Sequence, residues 1–200
     1  MLNQVLFLCD NDVSQNNCTG PGENSGGGDS DPQTFAYQDL RKKIAYLILP
    51  SDVTGVSVSA ISTAGLPKDG DNQYPAGMTA FQFSTDPGAT KTVSIYYDLP
   101  GNPTDYTARK YKTSDQTYSD VVGAILVRED YGGKSRLKLT YSITDGGILD
   151  QDGQVNGIII DPVGLATTNL ALTGDNVWLY IFGVMSLLGV GTWFVRKVVK

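Results

Sequence analysis

Three oxygen-bearing side chains lie close together in the last quarter of the chain. Asp150, Asp152 and Asn156 flank Gly153, which allows a tight turn. Calcium sites use hard oxygen ligands on short loops bent at glycine, so this spacing predicts calcium as a cofactor. The loop is not an EF-hand, because the glutamate of the twelfth loop position is absent. The alternative is a hairpin in which these side chains accept bonds from neighbouring backbone N–H groups.

Few residues suit other catalytic chemistry. The sequence contains no histidine, which excludes Ser-His-Asp and Cys-His catalysis and removes the commonest zinc ligand. Asp150 and Asp152 form a close pair of carboxylates, but side chains on one short loop suit a cation better than an acid–base pair. We therefore expect no enzymatic activity. The chain has 15 basic and 21 acidic residues, and phosphate backbones repel such an acidic protein, so nucleic acid is not an expected partner.

The first part of the chain, residues 1–33, reads as a flexible leader rich in Gly, Ser, Asn and Asp. Its Cys9 and Cys18 would form a disulfide outside the cell, worth about 2–3 kcal/mol in the chain-entropy model. The alternative is two unrelated thiols. The N-terminus lacks the basic start and the run of about 7–15 apolar residues of a secretory signal. We therefore expect Met1 to be an internal start, or the chain to be the C-terminal end of a longer protein.

The most hydrophobic segment is residues 177–195, which carry no charge. At about 1.5 Å per residue it would form a helix of roughly 28 Å, close to the ~30 Å hydrocarbon core of a bilayer. Arg196, Lys197 and Lys200 follow it. The positive-inside rule therefore predicts a transmembrane helix with the basic tail 196–200 in the cytoplasm and the preceding residues outside. A buried core helix is the alternative, although such helices rarely end in a basic cluster.

A pentapeptide precedes this segment, and its residues are Leu170, Ala171, Leu172, Thr173 and Gly174. Followed by a hydrophobic segment and a basic tail, it resembles the sorting signal of sortase-anchored bacterial surface proteins, whose usual motif is Leu-Pro-x-Thr-Gly. The resemblance implies that a membrane sortase cleaves after Thr173 and joins this residue to an amine of a cell-envelope polymer. Ala171 stands at the proline position and lacks the ring that fixes φ. A permanent membrane anchor is the alternative.

Short runs of alternating apolar and polar residues recur between turns from residue 34 to 165. The clearest has Leu137, Leu139 and Tyr141 alternating with polar residues. Several such strands separated by turn signals predict a mainly β fold, an antiparallel β-sandwich, followed by one C-terminal transmembrane helix. Val121–Val127 is more continuously apolar, which indicates a central strand. We expect residues 166–176 to be a linker that carries the sorting motif, and residues 164–169 to be a flexible approach to that motif.

Several segments of the predicted sandwich also follow a family pattern. They are Tyr74–Phe83, Pro87–Ala89, Val93–Tyr97, Thr144–Gly147 and Asn156–Pro162. From about residue 55 these segments resemble the choice-of-anchor U domain, which stands next to C-terminal sorting signals in bacterial surface proteins. The resemblance implies a membrane-proximal β-domain with no assigned catalytic activity. The strand predicted at Val121–Glu129 has no clear counterpart in that pattern.

Two classes of function agree with these features. The first is a non-catalytic extracellular module that anchors and presents a bacterial surface protein at the cell envelope, with the membrane, a sortase-type transpeptidase and an envelope polymer as partners. The second is a membrane-anchored carbohydrate- or ligand-binding domain. Tyrosines expected on the outer face of the sandwich would stack on sugars; they are Tyr96, Tyr106, Tyr111 and Tyr118. Both classes predict a location at the cell surface.

Overall fold

The computed structural model describes residues 31–168, which fold into ten strands and one short 3-10 helix at Pro103–Asp105. The strands are β1 (Gln33–Gln38), β2 (Ile44–Leu49), β3 (Thr54–Ile61), β4 (Met78–Ser84), β5 (Thr90–Tyr97), β6 (Thr107–Lys112), β7 (Thr117–Asp120), β8 (Ile125–Tyr131), β9 (Lys134–Thr144) and β10 (Ile158–Ala166).

The strands form two five-stranded sheets, and every pairing is antiparallel. One sheet has the order β1-β2-β5-β9-β8 and the other β3-β4-β10-β6-β7. Their inner faces share one apolar core, to which the first sheet contributes Leu47 and Leu139 and the second Phe83 and Ile159. Burial of these side chains stabilises the fold by roughly 1.5–3 kcal/mol each. The prediction of a mainly β, sandwich-like fold is therefore confirmed.

The last strand lies at the centre of its sheet. β10 lies between β4 and β6, and Thr167 continues it by exchanging backbone hydrogen bonds of 2.8 and 2.9 Å with Gln73. The prediction of a flexible approach over residues 164–169 is therefore wrong for residues 164–167. Glycine and small residues indicated flexibility there, but Gly164 is buried because Tyr74 packs against its backbone, where a β-carbon would come within 2.9 Å of the ring.

The segment Val121–Val127 is not a central strand, so that prediction is wrong. Residues 121–124 form a turn closed by the Ala124 N–H, which donates to the Val121 carbonyl over 3.2 Å. Gly123 takes a positive φ of 75°, and Val122 is 73% exposed. β8 begins at Ile125 and is an edge strand. A continuous apolar run does not distinguish a buried strand from an exposed turn and a sheet edge.

No helix within residues 31–168 has the length and apolar character to cross a membrane. Several predictions concern residues outside that range. They are the transmembrane segment 177–195, the basic tail, the pentapeptide Leu170–Gly174 and the disulfide between Cys9 and Cys18.

Candidate functional site

The loop between β9 and β10 contains the acids that the sequence singled out. Asp150 is 3% exposed. Its Oδ2 accepts a hydrogen bond from the Gly146 N–H over 2.9 Å, and its Oδ1 accepts one from the Ile160 N–H over 3.1 Å. Burial raises the pKa of the Asp150 carboxyl, and these two backbone donors oppose that rise. Asp150 thus fastens the start of the loop to β10.

Asp152 and Asn156 lie on the exposed side of the same loop. The Asp152 Oδ1 accepts from the Gln154 N–H over 2.9 Å, and its Oδ2 accepts from the Asn156 side-chain amide over 3.0 Å. The Asn156 Oδ1 accepts from the Ile158 N–H over 2.8 Å. These are the bonds of the hairpin alternative. Within residues 31–168 no three acidic, cysteine or histidine side chains are placed to hold a metal ion, and calcium binding stays a prediction.

Asp145 is a buried acid of this loop that the sequence reasoning did not single out. Its Oδ2 accepts from the Gly88 N–H over 2.8 Å, and both carboxylate oxygens lie 3.1 Å from the Gly157 nitrogen. Burial raises the pKa of Asp145, but the backbone donors outweigh burial and the net shift is downward. Asp145 therefore joins the turn between β4 and β5 to the loop before β10.

An open groove of about 840 Å³ lies beside the loop that precedes β4. Tyr74 and Tyr118 line it, with their rings stacked at a centroid distance of 5.6 Å. Asp69 also lines it, and the Tyr74 hydroxyl donates to Asp69 Oδ2 over 2.5 Å. The Arg109 guanidinium binds the same carboxylate in a bidentate manner, with Nη2 donating to Oδ1 over 2.5 Å and Nε donating to Oδ2 over 3.0 Å. The groove thus combines an aromatic platform with a fixed ionic cluster.

The outer-face tyrosines are mostly covered, so the prediction that they are exposed is wrong for three of them. Tyr96, Tyr106 and Tyr111 are 4%, 7% and 6% exposed. Tyr96, for example, stacks on Tyr131 at 4.1 Å and donates its hydroxyl to Glu129 over 2.8 Å. Tyr131 packs against Tyr96 and Tyr118 against Tyr111, whereas Tyr106 belongs to the hydrophobic core and donates its hydroxyl to the Pro100 carbonyl over 2.9 Å. Only Tyr118 of the four predicted tyrosines lines the groove.

A third polar cluster lies between the sheets, where alternation would place apolar residues. Lys110 of β6, Asp161 of β10 and Tyr141 of β9 are each at most 2% exposed. The Lys110 Nζ is in direct contact with Asp161 Oδ1, and the Tyr141 hydroxyl donates to Asp161 Oδ2 over 2.7 Å. The sequence did carry one signal of this cluster: Lys110 is in phase with Ala108 on the inward face of the strand.

Register explains how the cluster assembles. Lys110 is directly opposite Val163 in the antiparallel ladder of β6 and β10. Asp161 is two residues from Val163, and because side chains alternate with a period of two, all three point to the same face. Tyr141 reaches the pair from the opposing sheet. Two strands of one sheet and one of the other therefore define the site.

Burial changes the protonation of this cluster. It lowers the pKa of Lys110 and raises that of Asp161, and in each case the charge of the partner opposes the shift without cancelling it. Burial also raises the pKa of Tyr141 well above its usual value, so this hydroxyl keeps its proton and stays a donor. Both members of the pair are therefore shifted toward their neutral forms.

Comparisons with protein-family models, curated proteins and solved structures returned no match to this chain. The resemblances to a choice-of-anchor U domain and to a sorting signal accordingly stay predictions. Function is therefore inferred from the three sites described above, which are a loop held by acids, an aromatic groove and a buried amine–carboxyl pair.

Proposed function

We propose that this chain is a non-catalytic extracellular module that anchors and presents a bacterial surface protein at the cell envelope. The observation that supports this most is that the buried acids of the loops are hydrogen-bonded to the backbone. Asp39, Asp145 and Asp150 each accept hydrogen bonds from two backbone N–H groups. Acids engaged in this way stabilise turns and are poorly placed to exchange protons with a substrate.

The attachment rests on the C-terminal sequence. The uncharged segment 177–195 and the cations after it retain the chain at the membrane, and the pentapeptide Leu170–Gly174 presents the Thr173–Gly174 bond to a sortase. β10 and its continuation end at Thr167. The residues between Thr168 and the uncharged segment reach at most about 30 Å even when fully extended. The sandwich would therefore stand close to the membrane surface until it is released.

The cleavage is tested in a host that contains a matching sortase. We expect mass spectrometry of envelope-released protein to find Thr173 as its last residue. Gly174→Ala should leave the full-length chain in the membrane, because the enzyme requires a residue without a side chain after the cleaved bond. Leu172→Ala, at the variable position of the motif, is the matched control and should be processed normally. Recovery of mature protein that retains residues 177–200 would reduce the segment to a plain membrane anchor.

The groove supports a second candidate, a carbohydrate- or ligand-binding domain. Tyr74 and Tyr118 offer apolar ring surface of the kind on which sugar faces pack, and Asn72 and Gln73 of the same groove offer hydrogen-bonding groups. Glycan-array binding that Tyr118→Ala abolishes and that Tyr131→Ala, on the other sheet, preserves would support this candidate. An array without signal from a folded protein would favour the structural module alone.

A further inference from the structure

The contact between Lys110 and Asp161 brings together the two groups that form an amide. The nitrogen of a primary amine touches an oxygen of a carboxyl group, and both groups are buried between the sheets. Their residues lie on neighbouring strands of one sheet, which hold the amine and the carboxyl carbon at a fixed approach. Such positioning replaces an encounter in solution by a reaction within one molecule, which accelerates it greatly.

We infer that Lys110 and Asp161 condense to an intramolecular amide that joins β6 and β10 covalently. This is a self-modification of the sandwich, and it does not depend on the function proposed above. The cross-link would connect two strands that already pair in the central part of their sheet. A covalent bond at this point ties β10, the strand nearest the C-terminal attachment, to the rest of the fold.

The reaction balances without any further reactant. The lone pair of the neutral Lys110 Nζ attacks the Asp161 Cγ, forming the new C–N bond and placing negative charge on Oδ2. One amine proton passes to Oδ1, which already carries the carboxyl proton. The Cγ–Oδ1 bond then breaks and Oδ1 leaves as water, while Oδ2 becomes the amide carbonyl oxygen. Nothing is oxidised or reduced.

Burial shifts both participants toward the forms that the step requires. A protonated lysine has no lone pair and an ionised carboxylate resists attack, so the reaction needs the neutral amine and the neutral acid. Removal from water favours both neutral forms, in agreement with the directions of the two pKa shifts. In bulk water the same two groups would exist as an ion pair, which does not condense.

Tyr141 is the catalytic residue of this step. Its hydroxyl donates to Asp161 Oδ2 over 2.7 Å, the oxygen on which negative charge develops during attack. A donor already aimed at that oxygen stabilises the charge without reorganisation. Because burial keeps the phenol protonated, the donor is available at neutral pH. The donor comes from the opposing sheet, so the reacting groups assemble only when the sandwich has closed.

The test is the intact mass of the purified full chain, after reduction of its cysteines and overnight incubation at neutral pH. We expect the mass to fall below that of the sequence by one water molecule. Trypsin should then yield Lys110–Lys112 joined to Leu139–Arg196, since an acylated Lys110 is not cleaved. A full-length mass at every time, with Tyr111–Lys112 and an unmodified Leu139–Arg196 recovered as separate peptides, would overturn the inference.

Variants separate this reaction from other losses of water. Lys110→Arg keeps a cation but should abolish the mass loss, whereas Lys112→Arg, exposed on the same strand, should retain it. Loss of water that persists in Lys110→Arg would indicate a cyclic imide at an Asp-Gly step and would contradict the assignment. Asp161→Asn should give the same linkage by losing ammonia instead of water.

Tyr141→Phe tests the catalytic role separately from the fold. It keeps the ring in the core and removes only the donor. We expect the rate of mass loss to fall by roughly 100-fold, as when one donor to a developing oxyanion is removed. An unchanged rate in this variant would overturn the role of Tyr141. Unfolding measured on the same sample establishes that the sandwich is intact.

Discussion

Two consecutive residues of β6 meet opposite environments. Arg109 points to the outer face and contacts Asp69 and Asp120, whereas Lys110 points inward and contacts Asp161. The Asp120 side chain is 68% exposed, whereas that of Asp161 is fully buried. The alternation of a strand thus separates two cation–carboxylate pairs that are neighbours in sequence.

The difference shows what burial does to an ion pair. On the outer face water and salt screen the exposed Arg109–Asp120 pair, so this pair contributes little, whereas the Arg109–Asp69 pair is more covered and contributes more. In the core the two groups lose their hydration, which shifts both toward their neutral forms, and before they condense they are held by contact with each other and by the Tyr141 hydrogen bond. A cation–carboxylate pair therefore forms a salt bridge on the outer face of the sheet and a reactive pair on the inner face.

The largest effect is expected from breaking the inner pair. Asp161→Ala leaves Lys110 buried without its partner, which should lower the free energy of unfolding by about 3–5 kcal/mol. Denaturant unfolding measures the change, with Lys112→Ala as the exposed control on the same strand. Replacing both members, as Lys110→Met with Asp161→Leu, should cost less than the single change, because both variants lack the cross-link but only the single change leaves a buried amine without a partner. A loss below about 1 kcal/mol for Asp161→Ala would contradict the claim that the buried pair contributes more to stability than an exposed pair.

An intermediate effect is expected at Asp69, which is shared by Arg109 and the Tyr74 hydroxyl. Burial raises the pKa of Asp69, but the Arg109 and Tyr74 bonds outweigh it and the net shift is downward. Asp69→Asn should therefore cost about 1–2 kcal/mol at neutral pH, between the values for exposed and buried pairs.

The cost of Asp69→Asn should depend on pH in one direction. A carboxyl group whose pKa is lower in the folded protein stabilises it above the unfolded pKa of about 3.9 and loses this contribution as pH falls through the folded value. Thermal unfolding of both proteins from neutral pH downward measures the effect. The two melting temperatures should converge in acid, and a gap that widens in acid would contradict the assigned shift.

The smallest effect is expected at Asp120, the exposed partner of Arg109. Its carboxylate lies 2.6 Å from Arg109 Nη1 but is largely in water. Asp120→Ala should cost less than about 1 kcal/mol, and added salt should remove most of that difference. Melting curves at low and high salt provide the measurement. A loss of stability comparable to that of Asp161→Ala would mean that burial does not explain the difference between the pairs on the two faces.

The strands were predictable because one face of each is buried. Leu137, Leu139 and Tyr141 alternate with polar residues and do form β9. The polar strand β7 was missed because Thr117–Asp120 carries no alternation and pairs only at a sheet edge. The position of β8 was misjudged because composition does not specify which strands become neighbours.

The sites were less predictable than the strands. Lys110 and Asp161 are 51 residues apart in the chain, and only the pairing of β6 with β10 brings them together. The position of Lys110 in phase with Ala108 signalled an inward cation but not its partner. The acids around residue 150 were recognised from their spacing, yet the choice between a cation and backbone donors depends on loop geometry.

Display at the cell surface is the central claim, and labelling of intact cells tests it most directly. The cells are treated with an amine-reactive reagent that does not cross membranes, and the protein is then mapped by mass spectrometry. Lys42 and Lys134 are exposed on the sandwich, so they should be labelled before lysis, while an abundant cytoplasmic protein of the host stays unmodified. Labelling of Lys42 and Lys134 only after lysis would contradict the account.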